Sequence, residues 1–156
     1  MPLTLSLADL EVTFSDFIDN SYPRITVQPA SVEYSALGTP ALSARYYENK
    51  HLWSVNAICD RHQRETLELI LWESEDRRRK LLNADILIYD TTAAIRELAP
   101  RSRGLVPNTT ETIINGRYVA YYAQFYGIIT TDLKYSISGI VDVVTFSIAE
   151  TVRVLP

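Results

Sequence analysis

The apolar period of this chain changes between Cys59 and Asp60, and that change limits the folds open to it. Before it, HLWSVNAIC (residues 51–59) alternates, placing Trp53, Val55, Ala57 and Cys59 on one face and Ser54 and Asn56 on the other. Such alternation predicts a strand with one core face, and Cys59, on that face, reads as a buried thiol and not a nucleophile. After it, Leu67, Ile70, Leu71 and Ser74 recur at helical spacing as an inward stripe. Asp60 stands as N-cap and Gln63 three residues later makes a capping box, which satisfies free amides of the first turn. A helix over about 61–82 is expected, with no proline to interrupt it. On its solvent side Glu73–Arg77, Glu75–Arg79 and Asp76–Lys80 are i,i+4 pairs, each worth about 0.2–0.5 kcal/mol. The cations at its end complement the helix dipole. The RRRK run therefore has a structural reason that needs no nucleic acid.

The remaining segments read as strands and turns. Residues 3–14 alternate with a shift near Ala8-Asp9, as a strand with an irregularity or as an arm that completes its pairing on a neighbour. Residues 24–35 read as extended and interrupted at Pro29, which suits an edge strand or bulge. Asp85–Tyr89 is a short strand. Residues 90–112 form a long polar connection with Arg96, Arg101 and Arg103 around Pro100, in which TTAAIREL reads as one or two helical turns. Connections of this length are commonly functional or mobile. Asn115-Gly116 between ETII and RYVAYY is a hairpin signal, because a type I′ turn needs positive φ at both central residues. The strand after it is expected to reach Ile129, with a reversal at Thr131-Asp132. A final long strand over Tyr135–Val152 is expected, with Gly139 as a bulge where the apolar parity changes towards Val144, Phe146 and Ile148. The expected class is α+β, mostly β: a small split β-barrel or sandwich of six to eight largely antiparallel strands with one main α-helix, in a single domain over 1–156.

Composition narrows the function classes. The chain has 156 residues, 47% of them hydrophobic, which suits one folded core. A formal net charge of −4 gives no general footprint for nucleic acid or an anionic membrane. A single cysteine excludes an internal disulfide and fits a reducing compartment. No leader and no transmembrane run is read, so a cytosolic, unsecreted protein is expected.

Catalytic signatures are absent from the sequence. His51 and His62 lack a partner at zinc-ligand spacing, and no G-x-S-x-G, P-loop or G-x-G-x-x-G occurs. Asp142 lies in an apolar strand, where a solvated or lumen-facing residue is the simpler reading than a catalytic acid. No catalytic residue, metal or cofactor is expected.

Five of the fourteen Tyr and Phe residues fall within positions 118–126. Tyr118, Tyr122 and Tyr126 share one face; Tyr121 and Phe125 share the other with Val119 and Ala123. Stacking platforms for nucleic acid set exposed rings among cations, and here only Arg117 and Lys134 stand at the ends. One face therefore reads as core and the other as the contact surface of another element or subunit. The candidate core is Trp53, Val55, Leu67, Ile70, Leu71, Tyr121, Phe125, Val144, Phe146 and Ile148. The candidate assembly interface is Tyr118, Tyr122, Tyr126, Arg96, Arg101 and Arg103.

The order of elements carries a resemblance over roughly residues 24–154. A Trp-bearing strand (HLWSVNAIC), a capped helix (DRHQRETLELILWE), a short strand, a closing hairpin and a long last strand (VVTFSIAETVRVLP) follow one another. This order resembles the tail-tube-type module of tailed bacteriophages and related contractile injection machines, especially small distal-tail, tube-initiator or baseplate-hub proteins. The resemblance implies a structural virion component assembled in the host cytoplasm. It implies a homo-oligomeric ring, commonly of six subunits, that joins other tail or baseplate proteins and passes DNA or a tape-measure protein through its lumen. Residues 1–22 or 90–112 would then be arms to a neighbour. Two other classes stand beside it: a small-molecule-binding barrel with Trp53, Tyr121 and Phe125 around a cavity, and an enzyme using Asp142 or His51.

Overall fold

The computed structural model describes residues 2–18, 23–27, 30–34, 38, 40–44, 50–98, 100–138 and 141–151. Along them run β1 (Leu3–Leu7), β2 (Leu10–Phe14), β3 (Arg24–Val27), β4 (Ala30–Tyr34), β5 (Pro40–Ala44), β6 (Lys50–Cys59), α1 (Arg61–Arg79), β7 (Ile86–Asp90), β8 (Ile95–Leu98), β9 (Thr112–Ile114), β10 (Tyr118–Tyr121), β11 (Gln124–Ile129), β12 (Lys134–Ser138) and β13 (Val141–Glu150). The class is α+β and mostly β. All ladders are antiparallel, in an eight-stranded sheet ordered β2-β1-β7-β11-β13-β6-β3 with β12 also on β13, a three-stranded sheet β8-β10-β9, and the pair β4-β5. Among the described residues there are thirteen strands, eight of them in the large sheet.

One face of the large sheet is the core. Leu3, Leu5 and Leu7, Ile86 and Ile88, Phe125 and Ile129, Val144, Phe146 and Ile148, and Trp53, Val55 and Ala57 are all buried on it. Gly127 belongs to this face because nothing larger fits: a Cβ there would lie 2.8 Å from the Ala149 carbonyl oxygen. The sheet curls until the segment after β2 reaches β6, where the Ile18 amide donates to Asn56 O (3.0 Å) and the Ile58 amide to Asp16 O (2.9 Å). Only an isolated bridge forms there, Phe17 to Ala57, so the architecture is sandwich-like and not a closed barrel.

The helix begins as its cap predicts. Asp60 accepts from the Gln63 amide (2.8 Å), and the Asp60 amide donates to the Gln63 side chain (2.9 Å). It stops at Arg79, three residues before the expected Leu82. Leu67, Ile70 and Ser74 are buried, Leu71 is half-buried against the core, and Ser74 donates to Ala84 O (3.0 Å). Glu73–Arg77 and Asp76–Lys80 close as ion pairs, joined by Arg61–Glu65.

Several segments depart from the sequence expectations. Residues 3–14 are neither one irregular strand nor an arm: Ala8, at φ 56°, and Asp9 turn the chain so that Leu7 faces Leu10 in a hairpin. β1 pairs with β7, which carries Leu3 and Leu5 into the core. The run 118–129 is two strands, β10 in the small sheet and β11 in the large one. No reversal occurs at Thr131-Asp132. The Thr130 amide donates to Ser147 O and the Ser147 amide to Thr131 Oγ1, both at 2.9 Å, so the chain continues along β13. The single strand expected over Tyr135–Val152 is therefore two paired strands among the described residues, β12 and β13, in which Ser138 pairs with Val141. TTAAIREL is not helical: residues 91–94 bend, and Ile95–Leu98 extend as β8 paired with β10. The Asn115-Gly116 signal does mark a hairpin, with φ 52° and 66° there. The bulges expected at Pro29 and Gly139 lie outside the described residues.

The hairpin's role as core makes a testable claim. Leu5→Ala should cost about 2–5 kcal/mol in urea denaturation, as deletions of buried leucine side chains do. Trp72→Ala, on the exposed face of α1, should change stability by no more than about 0.5 kcal/mol. Equal effects of the two would contradict this packing.

Candidate functional site

At one end of the curled sheet the apolar parity of the strands continues into charged residues. After Ile86 and Ile88 comes Asp90; after Phe146 and Ile148 comes Glu150; before Trp53 and Val55 comes His51. β3 adds Arg24 opposite Trp53. The pleat therefore turns two carboxylates, a guanidinium and an imidazole inward, where burial demands that each be paired.

Asp90 is fully buried and accepts four hydrogen bonds. Trp53 Nε1 (3.0 Å) and Arg24 Nη1 (3.1 Å) donate to one oxygen; the Thr92 amide (2.8 Å) and the Thr92 hydroxyl donate to the other. Burial lowers the Arg24 guanidinium from its usual value, and Asp90 opposes that shift. Glu150 accepts from the His51 amide (2.9 Å), His51 Nδ1 (3.0 Å) and Arg103 Nε (3.1 Å). Burial by itself would raise its carboxyl, but the hydrogen bond from His51 and the charge of Arg103 outweigh burial and hold it below the ordinary carboxylate range. Arg24 and Arg103 lie over the Phe125 ring, 5.5 and 5.3 Å from its centroid, and Trp53 meets that ring edge-on at 5.0 Å.

A second set of bonds joins the small sheet to this end. The Tyr121 hydroxyl donates to Glu97 (2.6 Å) and accepts from the Arg103 amide (3.1 Å), while Ser102 donates to Glu97 through its amide and its hydroxyl, each at 2.6 Å. Burial and the Glu97 hydrogen bond push the Tyr121 phenol up to about 12. Above the network opens a cleft of about 570 Å³, with Arg24, Thr26 and His51 on one wall and residues 94–98 with Ser102 and Arg103 on the other.

The sequence-derived site residues are dispersed by this arrangement. Trp53, Val55, Leu67, Ile70, Tyr121, Phe125, Val144, Phe146 and Ile148 are core, and of the three rings expected to surround a ligand cavity Trp53 and Phe125 pack on each other. Tyr118 is exposed on the small sheet; Tyr122 and Tyr126 are half-buried. Arg96 is exposed, Arg101 pairs with Glu111 at 3.4 Å, and Arg103 is drawn inward to Glu150. Asp142 is held by Arg64 at 3.1 Å, which ties α1 to β13. Burial pushes the Cys59 thiol up, with Asp142 adding to the effect. The network of Arg24, Asp90 and Glu150 was not among the site residues read from sequence; the signal was a charged residue at the core parity of an alternating strand.

Among the described residues no group of three or more His, Cys, Asp or Glu side chains is arranged to hold a metal, and no helix is long and apolar enough to cross a membrane. No protein-family model matches the chain, and no curated protein or solved structure is significantly similar to it.

Glu150→Gln removes the buried carboxylate that pairs with both Arg103 and His51 and should cost about 3–5 kcal/mol at pH 7 in urea denaturation. Because the folded-state pKa is depressed, this contribution is complete above the unfolded value, about 4.3. It is lost as pH falls through the lower folded value. The variant should accordingly show a shallower loss of stability on acidification. Parallel acid profiles for the two proteins would refute the assignment.

Proposed function

We propose that this protein is a structural subunit that assembles through its small sheet. The observation that carries the reading is a row of large side chains left uncovered across that sheet. Leu98 (57% exposed) and Tyr118 (42% exposed) face each other, and Ile114 stands on the other side of Tyr118. Apolar rows bordered by charge mark interaction surfaces more often than ligand sites. The inward-facing acids and bases described above are bonded to one another and leave no poised acid, base or nucleophile, which favours assembly over catalysis.

Within that class, the order of elements supports a subunit of a phage tail or baseplate. It would form a ring, of six copies on the resemblance, around a channel for DNA or a tape-measure protein, and would join neighbouring tail proteins. The main sheet and α1 supply the rigid body; the small sheet, whose Val119 and Tyr121 pack into the same core, would supply the contact with its outer face.

Light scattering coupled to size-exclusion chromatography should find oligomers, or co-assembly with tail proteins from the same gene cluster. Tyr118→Glu should abolish that assembly while leaving the circular-dichroism spectrum unchanged, whereas Phe125→Glu should unfold the chain. A wild-type protein that stays monomeric and ignores tail proteins would end this reading.

A further inference from the structure

The wall of the cleft formed by residues 94–98 has an unusual geometry. All five consecutive residues line it. A strand that presents a face lines a cavity with alternate residues; one that presents its edge lines it with consecutive ones. β8 therefore turns its backbone edge to the cleft. Among the described residues its other edge is bonded only to β10. The Ala94 carbonyl beside it accepts from Arg24 Nη2 at 3.4 Å, and along Ile95–Leu98 this edge is left open among the described residues. An open edge beside a cleft of this volume is a template for an added strand.

The charges around that edge choose the occupant. Arg96 is exposed on β8 itself and is the cation that selects; Arg24 and Arg103 also line the cleft but are matched to Asp90 and Glu150. The carboxylate on the same strand, Glu97, is engaged by Tyr121 and by Ser102 and faces the small sheet's packed side. A second copy is a poor occupant. Two-fold pairing of β8 with itself in either of its fullest antiparallel registers sets Arg96 against Arg96 or Glu97 against Glu97, and like charges directly opposite are destabilising.

We propose that the cleft binds an extended acidic peptide segment of a partner protein, added as a fourth strand to the edge of β8 with its carboxylates at Arg96. This goes beyond assembly through the face of the small sheet, because it uses the backbone edge of β8, with Leu98 bordering both surfaces, and it holds whether or not the chain forms rings.

The test uses the full chain and an acetylated, amidated peptide of alternating glutamate and valine, followed by amide chemical shifts in nuclear magnetic resonance. Shifts should localise to residues 94–98, and Arg96→Glu, at an exposed position, should weaken binding by about tenfold or more. The lysine–valine peptide, and the glutamate peptide N-methylated along its backbone, should fail to bind. Equal binding of the N-methylated peptide would show that no strand is added, and equal binding of the lysine peptide would remove the acidic specificity. Saturation of the same amides by free glutamate at similar concentration would reduce the site to a point anion contact. Each of these results, or the lack of any shift at 94–98, overturns the proposal.

Discussion

The buried carboxylate of Asp90 is the constraint on which one end of this molecule depends. A charge with no solvent around it must be matched atom by atom, and the match here is drawn from separate parts of the chain. Trp53 comes from β6, Arg24 from β3, and Thr92 from the turn that follows β7. The indole N–H that satisfies Asp90 belongs to the largest fully buried side chain, so the position of the carboxylate also fixes how Trp53 meets Phe125. Apolar packing and polar pairing are not separate layers at this end. They share side chains.

Arg24 and Arg103 over one ring would repel each other without Asp90 and Glu150 as counterions. Each carboxylate thereby sets the place of one guanidinium, and the pair of guanidiniums brackets Phe125. Glu97 performs a similar office for residues 100–103, bonding Ser102 and the Tyr121 hydroxyl to one carboxylate. The cleft above has a fixed floor for this reason, and its walls are two elements held apart by bonds beneath them.

Much of the fold was legible from local pattern and less from long-range pairing. The period change at Asp60, the capping box and the positive φ at Asn115-Gly116 are decided by neighbours a few residues away, and each is where the sequence puts it. The reversals were harder. A parity shift at Ala8-Asp9 reads alike as bulge or turn, and β7 beside β1 makes it a hairpin. Thr131-Asp132 has turn composition, yet the Thr130 amide and the Thr131 hydroxyl oxygen are bonded to Ser147, a partner visible only once β13 is in place. The polar network was legible in principle. Asp90, Glu150 and His51 each extend the buried face of an alternating strand by one step, so their parity marks them as inward before any partner is known. What parity cannot supply is which acid meets which base.

The aromatic run 117–131 shows how these levels combine. Its inward rings, Tyr121 and Phe125, lie on one alternating face but serve different sheets, because the chain passes from the small sheet to the large one at Tyr122-Ala123. That crossing is held by residues 104–106: the Val106 amide donates to Tyr122 O and the Gln124 amide to Gly104 O. The long connection 90–112 is thus consumed in fixing the switch and is not free to serve as an arm over its whole length. Tyr118 stands before the switch, on the exposed side of the small sheet, and Phe125 after it, in the core. A charge introduced at Tyr118 therefore meets solvent or a partner surface, whereas one at Phe125 meets Trp53 and two guanidiniums already matched to their acids. Tyr118 and Phe125 differ in exposure because one stands on the outer face of the small sheet and the other on the inner face of the large one.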